Sequence, residues 1–149
     1  MTYRAPVADI AFALEHAAGF CPALAEGLYG DLSQDVVQAV LEEAGRFAGD
    51  VLAPLNVTSD RSGTPFKDGA VVTAPGWKDA YRAWAQGGWN GLAAPAQWGG
   101  QDLPQAVNAA CIEIGNSAAL AFGLGPVPTR AGGDALHDLI TLRIAHGFA

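Results

Sequence analysis

The sequence has few basic residues and no cluster of them. Its 149 residues include 8 Lys and Arg against 15 Asp and Glu, which gives a formal net charge of −7. The bases are scattered along the whole chain. Because affinity for nucleic acid comes largely from Lys and Arg bound to phosphates, this composition argues against a nucleic-acid partner.

Long apolar runs and closely spaced cysteines are also missing. No apolar run approaches the roughly 20 residues that cross a bilayer. The first ten residues, MTYRAPVADI, lack the basic and apolar regions of a signal peptide. Cys21 and Cys111 are far apart in apolar surroundings, which favours two buried, reduced thiols. These features predict a soluble, cytoplasmic protein without a membrane span.

The usual catalytic and metal-binding motifs are absent. There is no His-Glu-x-x-His, no cysteine pair at metal spacing and no Gly-x-Ser-x-Gly elbow. His16, His137 and His146 stand alone, and we interpret them as surface or cap residues. Glu113 is the one acid in an apolar stretch, where an exposed or structurally bonded carboxylate is favoured over a general base. The sequence therefore predicts no catalytic residue and no metal site.

The strongest positive signal is helical, in SQDVVQAVLEEAGRFAGDVLAPL at residues 33–55. Ser33 or Asp31 suits the N-cap, and Pro54 is expected to end the helix. One face carries the apolar residues Val36, Val37, Val40, Leu41, Ala44, Phe47, Val51 and Leu52. The pattern predicts an amphipathic helix of about five turns, which needs a partner to cover its apolar face.

Further helices are expected at residues 7–18, at 75–86, from Pro104 onward and at 133–149, with an ordered loop and a small hairpin at 56–74. The aromatic residues Trp77, Tyr81, Trp84, Trp89 and Trp98 suit a core of small residues, with direct ligand contact as the alternative. The predicted fold is therefore all-α, a helical bundle of roughly five or six helices with one long ordered loop.

The stretch PAQWGGQDLP, residues 95–104, predicts a rigid corner between two helices. Pro95 fixes the entry and Gly99-Gly100 permit the turn, whereas Pro104 suits the start of the next helix. Trp98 is expected to anchor the corner into the bundle. The corner would thereby position the helix that follows it.

Three stretches, taken in order, resemble the N-terminal helical domain of the acyl-CoA dehydrogenase family. They are RFAGDVLAPLN at 46–56, WKDAYRAWAQGGWNGLAAPAQWGGQDLP at 77–104 and NAACIEIGNSAALAFGLG at 108–125. The family pattern includes an amphipathic helix with an APL-like end and a corner of the form P-x-x-[YW]-G-G. Here the residues of that corner are Pro95, Trp98, Gly99 and Gly100.

The resemblance covers residues 3–128 and looks like the larger bacterial members, including the methylmercaptopropionyl-CoA dehydrogenase-like branch. We divide the chain into an N-terminal extension (1–30), a core of resemblance (31–128) and a divergent C-terminal helix (129–149). A truncation, an altered reading frame and a cut chain each remain open as the origin of that divergent end.

The resemblance implies α,β-dehydrogenation of an acyl-CoA thioester, with FAD as the hydride acceptor. It places Leu120, Phe122 and Leu124 in the acyl pocket, with ordinary core packing as the alternative.

The family's middle β domain and its C-terminal helical domain, which supplies the catalytic glutamate, are absent from this sequence. The chain alone is therefore expected to be inactive and to retain no FAD, and to associate with itself or with dehydrogenase domains. The alternatives are a non-catalytic interaction module and a helical protein that binds acyl chains.

Overall fold

Helices account for 69% of the computed structural model, which describes residues 3–145. The helices are α1 (Val7–His16), α2 (Phe20–Ala25), α3 (Gln34–Phe47), α4 (Ala53–Ser62), α5 (Trp77–Gln86), α6 (Gln105–Gly123) and α7 (Pro126–Ala145). Two short strands, β1 (Phe66–Lys67) and β2 (Ala70–Val71), form a hairpin between α4 and α5. The all-α prediction is confirmed.

The amphipathic helix predicted at residues 33–55 is longer than expected. The Ser33 hydroxyl accepts a hydrogen bond from the backbone N–H of Val36 at 3.3 Å, as the N-cap prediction required. A π-helical turn, Ala48–Leu52, then joins α3 directly to α4. The expectation that Pro54 ends the helix is wrong. Pro54 lies in the first turn of α4, directly after the π turn, whose different hydrogen-bond pattern accommodates the missing N–H of the proline.

The region predicted as a loop, residues 56–74, is half helix and half hairpin. Its first residues complete α4, which ends at Ser62 and is followed by Gly63 with a φ of 62°, a backbone conformation that favours glycine. The small hairpin is confirmed, with Phe66 opposite Val71 and Lys67 opposite Ala70 in an antiparallel pair. Asp68 and Gly69 both have positive φ, which is the backbone of a tight hairpin turn.

The core lies between α3, the π turn, α5 and α6. Its fully buried side chains are Leu41, Leu52, Val107 and Ile114. Trp84 packs at its centre, with ring centroids 5.9 Å from Phe47 and from Trp89. Val36, predicted on the apolar face of α3, is instead 47% exposed. The apolar pattern identified the buried face of the helix but not its edge.

The last two helices differ most from the sequence expectation. α6 contains a bend at Ala119, whose φ of −154° and ψ of 84° are not helical. α7 begins at Pro126 rather than at Gly133, because prolines are tolerated in a first helical turn. His146 lies outside the described residues. Within residues 3–145 no single helix has the length and apolar character to span a membrane, and α6 and α7 meet that criterion only together, bent by 104°.

Candidate functional site

The corner at residues 95–104 is held mainly by backbone hydrogen bonds. The N–H groups of Gln101, Asp102 and Leu103 donate to carbonyls of the preceding segment, 91–94, at 2.8–3.0 Å. The tip closes on itself through the N–H of Gly100, which donates to the Pro95 carbonyl at 3.1 Å. Because these bonds join two backbone segments, the start of α6 is fixed mainly by the backbone.

Both glycines of the corner occupy positions where a side chain would be strained. Gly99 adopts a φ of 83°, in the left-handed region. A Cβ on Gly100 would lie 1.9 Å from the carbonyl oxygen of Ala94. The first requirement is conformational and the second is steric, so the turn needs glycine for two different reasons.

Trp98 does not anchor the corner. Its side chain is 69% exposed, although the sequence analysis placed it in the bundle. Trp98 ends a short 3₁₀ turn at the tip, whereas the apolar anchors Leu92 and Leu103 come from the two hydrogen-bonded segments behind it. Since those segments already join the corner to the core, the tip points away from the bundle.

The three residues predicted to line an acyl pocket all follow the bend at Ala119 in α6, and they differ in burial. Phe122 is 2% exposed, whereas Leu120 is 57% and Leu124 64% exposed. The Phe122 ring packs against Trp77, Tyr81 and Trp84, with centroid distances of 5.6, 6.5 and 5.8 Å. Phe122 thus belongs to the aromatic core, and the two leucines form part of the surface beside it.

A small cavity lies between Phe122, Trp84 and the first turn of α7. Its volume is about 20 Å³, and Asn108 and Pro126 are among the residues that line it. One water molecule needs about 10–15 Å³, whereas small-molecule pockets enclose about 300–1,000 Å³. This cavity therefore holds neither an alkyl chain nor a flavin.

The titratable residues singled out by the sequence show no catalytic arrangement in residues 3–145. Glu113 and His16 are exposed, and His137 is half-buried. Both cysteines are free thiols, and burial raises the pKa of Cys111 to about 12, so its reactive thiolate form is suppressed. No group of three His, Cys, Asp or Glu side chains in the described part is placed to hold a metal ion.

One contact to α6 was missed by the sequence analysis. The hydroxyl of Tyr3 donates to the backbone carbonyl of Ile114 at 3.0 Å and lies 2.6 Å from the hydroxyl of Ser117. These residues are more than 100 positions apart in the chain. A local pattern therefore carries no signal for this contact.

Comparison with known proteins supports the motif-based resemblance. The chain is 44% identical over 136 residues, 91% of its length, to a 3-methylmercaptopropionyl-CoA dehydrogenase from Ruegeria pomeroyi. The resemblance to the acyl-CoA dehydrogenase family is confirmed. The match spans 23% of that dehydrogenase, so the chain spans about a quarter of the length of this relative. No protein-family model matches the chain.

Proposed function

We propose that this chain is the N-terminal helical domain, or a fragment of it, of a flavin-dependent acyl-CoA dehydrogenase. The observation that carries the proposal is the 44% identity to such an enzyme across 91% of the chain. The complete enzyme would oxidise the bond between the α and β carbons of an acyl-CoA thioester, with FAD as the hydride acceptor. A cytoplasmic location fits this activity and remains a prediction.

The contribution of this chain to the enzyme would be an apolar wall. Leu120 and Leu124 lie on the surface on either side of buried Phe122, in a stretch that carries no charge. An alkyl chain covered by such a wall gains about 0.8 kcal/mol for each methylene removed from water. The other side of the pocket would come from domains outside this chain.

The chemical step would also depend on those other domains. Abstraction of the α proton needs a base within hydrogen-bond reach of the substrate, and no described carboxylate borders the small cavity beside Phe122. That cavity also does not fit FAD. We therefore derive no chemical step from these residues and propose that the chain alone is inactive and does not retain the flavin.

A chimeric enzyme tests this proposal directly. The 136 aligned residues would replace their counterparts in the Ruegeria pomeroyi enzyme, with that enzyme unaltered as the control. We expect a yellow protein that oxidises acyl-CoA, measured by flavin absorbance and by reduction of an electron-accepting dye. A soluble but colourless and inactive chimera would contradict the proposal. The isolated chain is expected to be colourless and inactive in both assays.

The exposed apolar residues of the chain also favour association with another protein chain or domain. This association would be either a non-catalytic function of the chain or a step in the assembly of the enzyme. Four exposed leucines lie in α6, in α7 and in the turn between them, namely Leu120, Leu124, Leu136 and Leu139. Exposed apolar surface is typical of interfaces. We propose that these leucines contact other dehydrogenase domains or a second copy of the chain. Sedimentation should show a concentration-dependent mass, and a monomer at every concentration would contradict self-association.

A further inference from the structure

The described chain begins with a short segment, residues 3–6, that crosses the surface of α3 and reaches α6. We propose that Tyr3 in this segment is a positioning residue, which holds α6 just before its bend and so sets the place of Leu120 and Phe122. The inference rests on the proposed function only in taking those residues as part of an acyl-binding wall.

The segment lies close to α3 because Gly45 leaves room for it. A Cβ on Gly45 would come within 2.8 Å of a Val7 methyl group and 3.3 Å of the Ala5 side chain. Gly49, one helical turn further on, lies beneath the Tyr3 carbonyl, which would be 3.7 Å from its Cβ. This small-residue groove brings the tyrosine ring within reach of α6.

At α6 the contact involves three oxygens that share two protons. The Tyr3 hydroxyl lies 3.0 Å from the Ile114 carbonyl and 2.6 Å from the Ser117 hydroxyl, and Ser117 lies 2.9 Å from the same carbonyl. Each hydroxyl carries one proton, so one of them donates to the carbonyl and the other donates to its neighbour. In both arrangements Tyr3 is hydrogen-bonded to Ser117, and where Tyr3 is the donor to the carbonyl it is bonded to Ile114 as well.

The bend follows immediately. Ser117 lies two residues before Ala119, where the backbone leaves the helical conformation. The direction of the chain after Ala119 determines how the Phe122 ring packs against the rings of Trp77 and Trp84. Tyr3 would thereby act on the apolar wall through Ser117 and the bend, without contact to a substrate.

The variant Tyr3→Phe in the full chain tests this inference. It removes one hydroxyl and leaves Ser117 able to donate to Ile114, so no buried polar group loses its partner. We expect amide exchange at residues 118–124 to become about three- to tenfold faster, as the loss of one hydrogen bond predicts. The tryptophan bands in near-ultraviolet circular dichroism should also change, because Phe122 shifts against its neighbours.

Tyr29→Phe is the matched control. Tyr29 stacks on Phe20 at 5.3 Å, and its hydroxyl makes no hydrogen bond within residues 3–145. Exchange at residues 118–124 and the tryptophan bands should stay unchanged in this variant. A third variant, Ser117→Ala, removes one of the contacts to Tyr3 and should produce a smaller change at the same residues.

Two results would overturn the inference. Unchanged exchange at residues 118–124 in Tyr3→Phe would show that the contact does not hold the bend. Exchange that quickens equally in all helices, with unchanged tryptophan bands, would show a general loss of stability instead. Neither measurement involves acyl-CoA or FAD, so failure here is distinct from failure of the chimeric enzyme.

Discussion

The two ends of α6 are held in different ways. At its start, backbone hydrogen bonds join residues 101–103 to residues 91–94, and the two segments are so close that a Cβ on Gly100 would collide with the Ala94 carbonyl. At its end the helix bends at Ala119 and depends on side chains, with Phe122 in the aromatic core and Tyr3 bound just before the bend. Backbone hydrogen bonds fix the position of a helix end regardless of neighbouring side chains, whereas side-chain contacts can change when another domain or chain packs over them. The start of α6 therefore orients the helix, and its end is the adjustable part.

The largest effect is expected from Phe122→Ala at the adjustable end. Removing a buried aromatic ring leaves a cavity and costs about 3–5 kcal/mol of stability. Urea denaturation measures this loss, and Leu124→Ala is the control, because an exposed leucine contributes about 0.5 kcal/mol or less. Equal losses in the two variants would show that Phe122 is not part of the core.

A loss of about 3 kcal/mol is expected from Gly100→Ala at the fixed end. The new methyl group would collide with the Ala94 carbonyl, which cannot move away without breaking its bond to Asp102. The midpoint of thermal unfolding measures the effect. Gly132→Ala in α7 is the control, since no atom lies within 4 Å of its added methyl group. If both alanine variants unfold at the wild-type temperature, the corner is not rigid.

Gly99→Ala should have a smaller effect, about 1–2 kcal/mol, because it strains the left-handed backbone without a collision. Chemical denaturation of Gly99→Ala beside Gly100→Ala separates the conformational requirement from the steric one. A larger loss at Gly99 than at Gly100 would reverse the roles assigned to the two glycines.

The smallest effect is expected from Trp98→Ala. Because the side chain is exposed at the tip of the corner, its removal should change stability by about 0.5 kcal/mol or less. Calorimetry with the wild-type chain as reference measures this difference. A loss above about 2 kcal/mol would restore the original prediction that Trp98 anchors the bundle.

The sequence predicted those features that depend on neighbouring residues. The N-cap at Ser33, the buried face of α3 and the hairpin turn at Asp68-Gly69 all follow from local preference and were confirmed. The role of Pro54 was misjudged because it depends on whether the helix is α-helical or π-helical just before it. Local rules for proline do not contain that information.

Less of the candidate site than of the fold could be predicted from the sequence. Periodicity indicates which residues are apolar, but not which neighbour covers them. It therefore did not distinguish buried Phe122 from exposed Leu120 and Leu124, because all three follow the bend at Ala119, beyond which the buried face cannot be extended from the earlier turns of α6. The exposure of Trp98 depends on the two segments behind the tip, whose hydrogen bonds are not visible in the residue pattern.

The π turn at Ala48–Leu52 determines the rotational phase between α3 and α4. Each residue of an α-helix advances the chain by about 100° around the axis, so a wider turn rotates everything after it. With this phase, Ser59 of α4 accepts a hydrogen bond from the indole N–H of Trp77, at the start of α5. If the same residues formed an unbroken α-helix, each residue of this turn would rotate the chain further, so Ser59 would lie on a different side of the helix axis, away from Trp77. The packing of α5, and through it the aromatic core, thus depends on one wide turn inside a neighbouring helix.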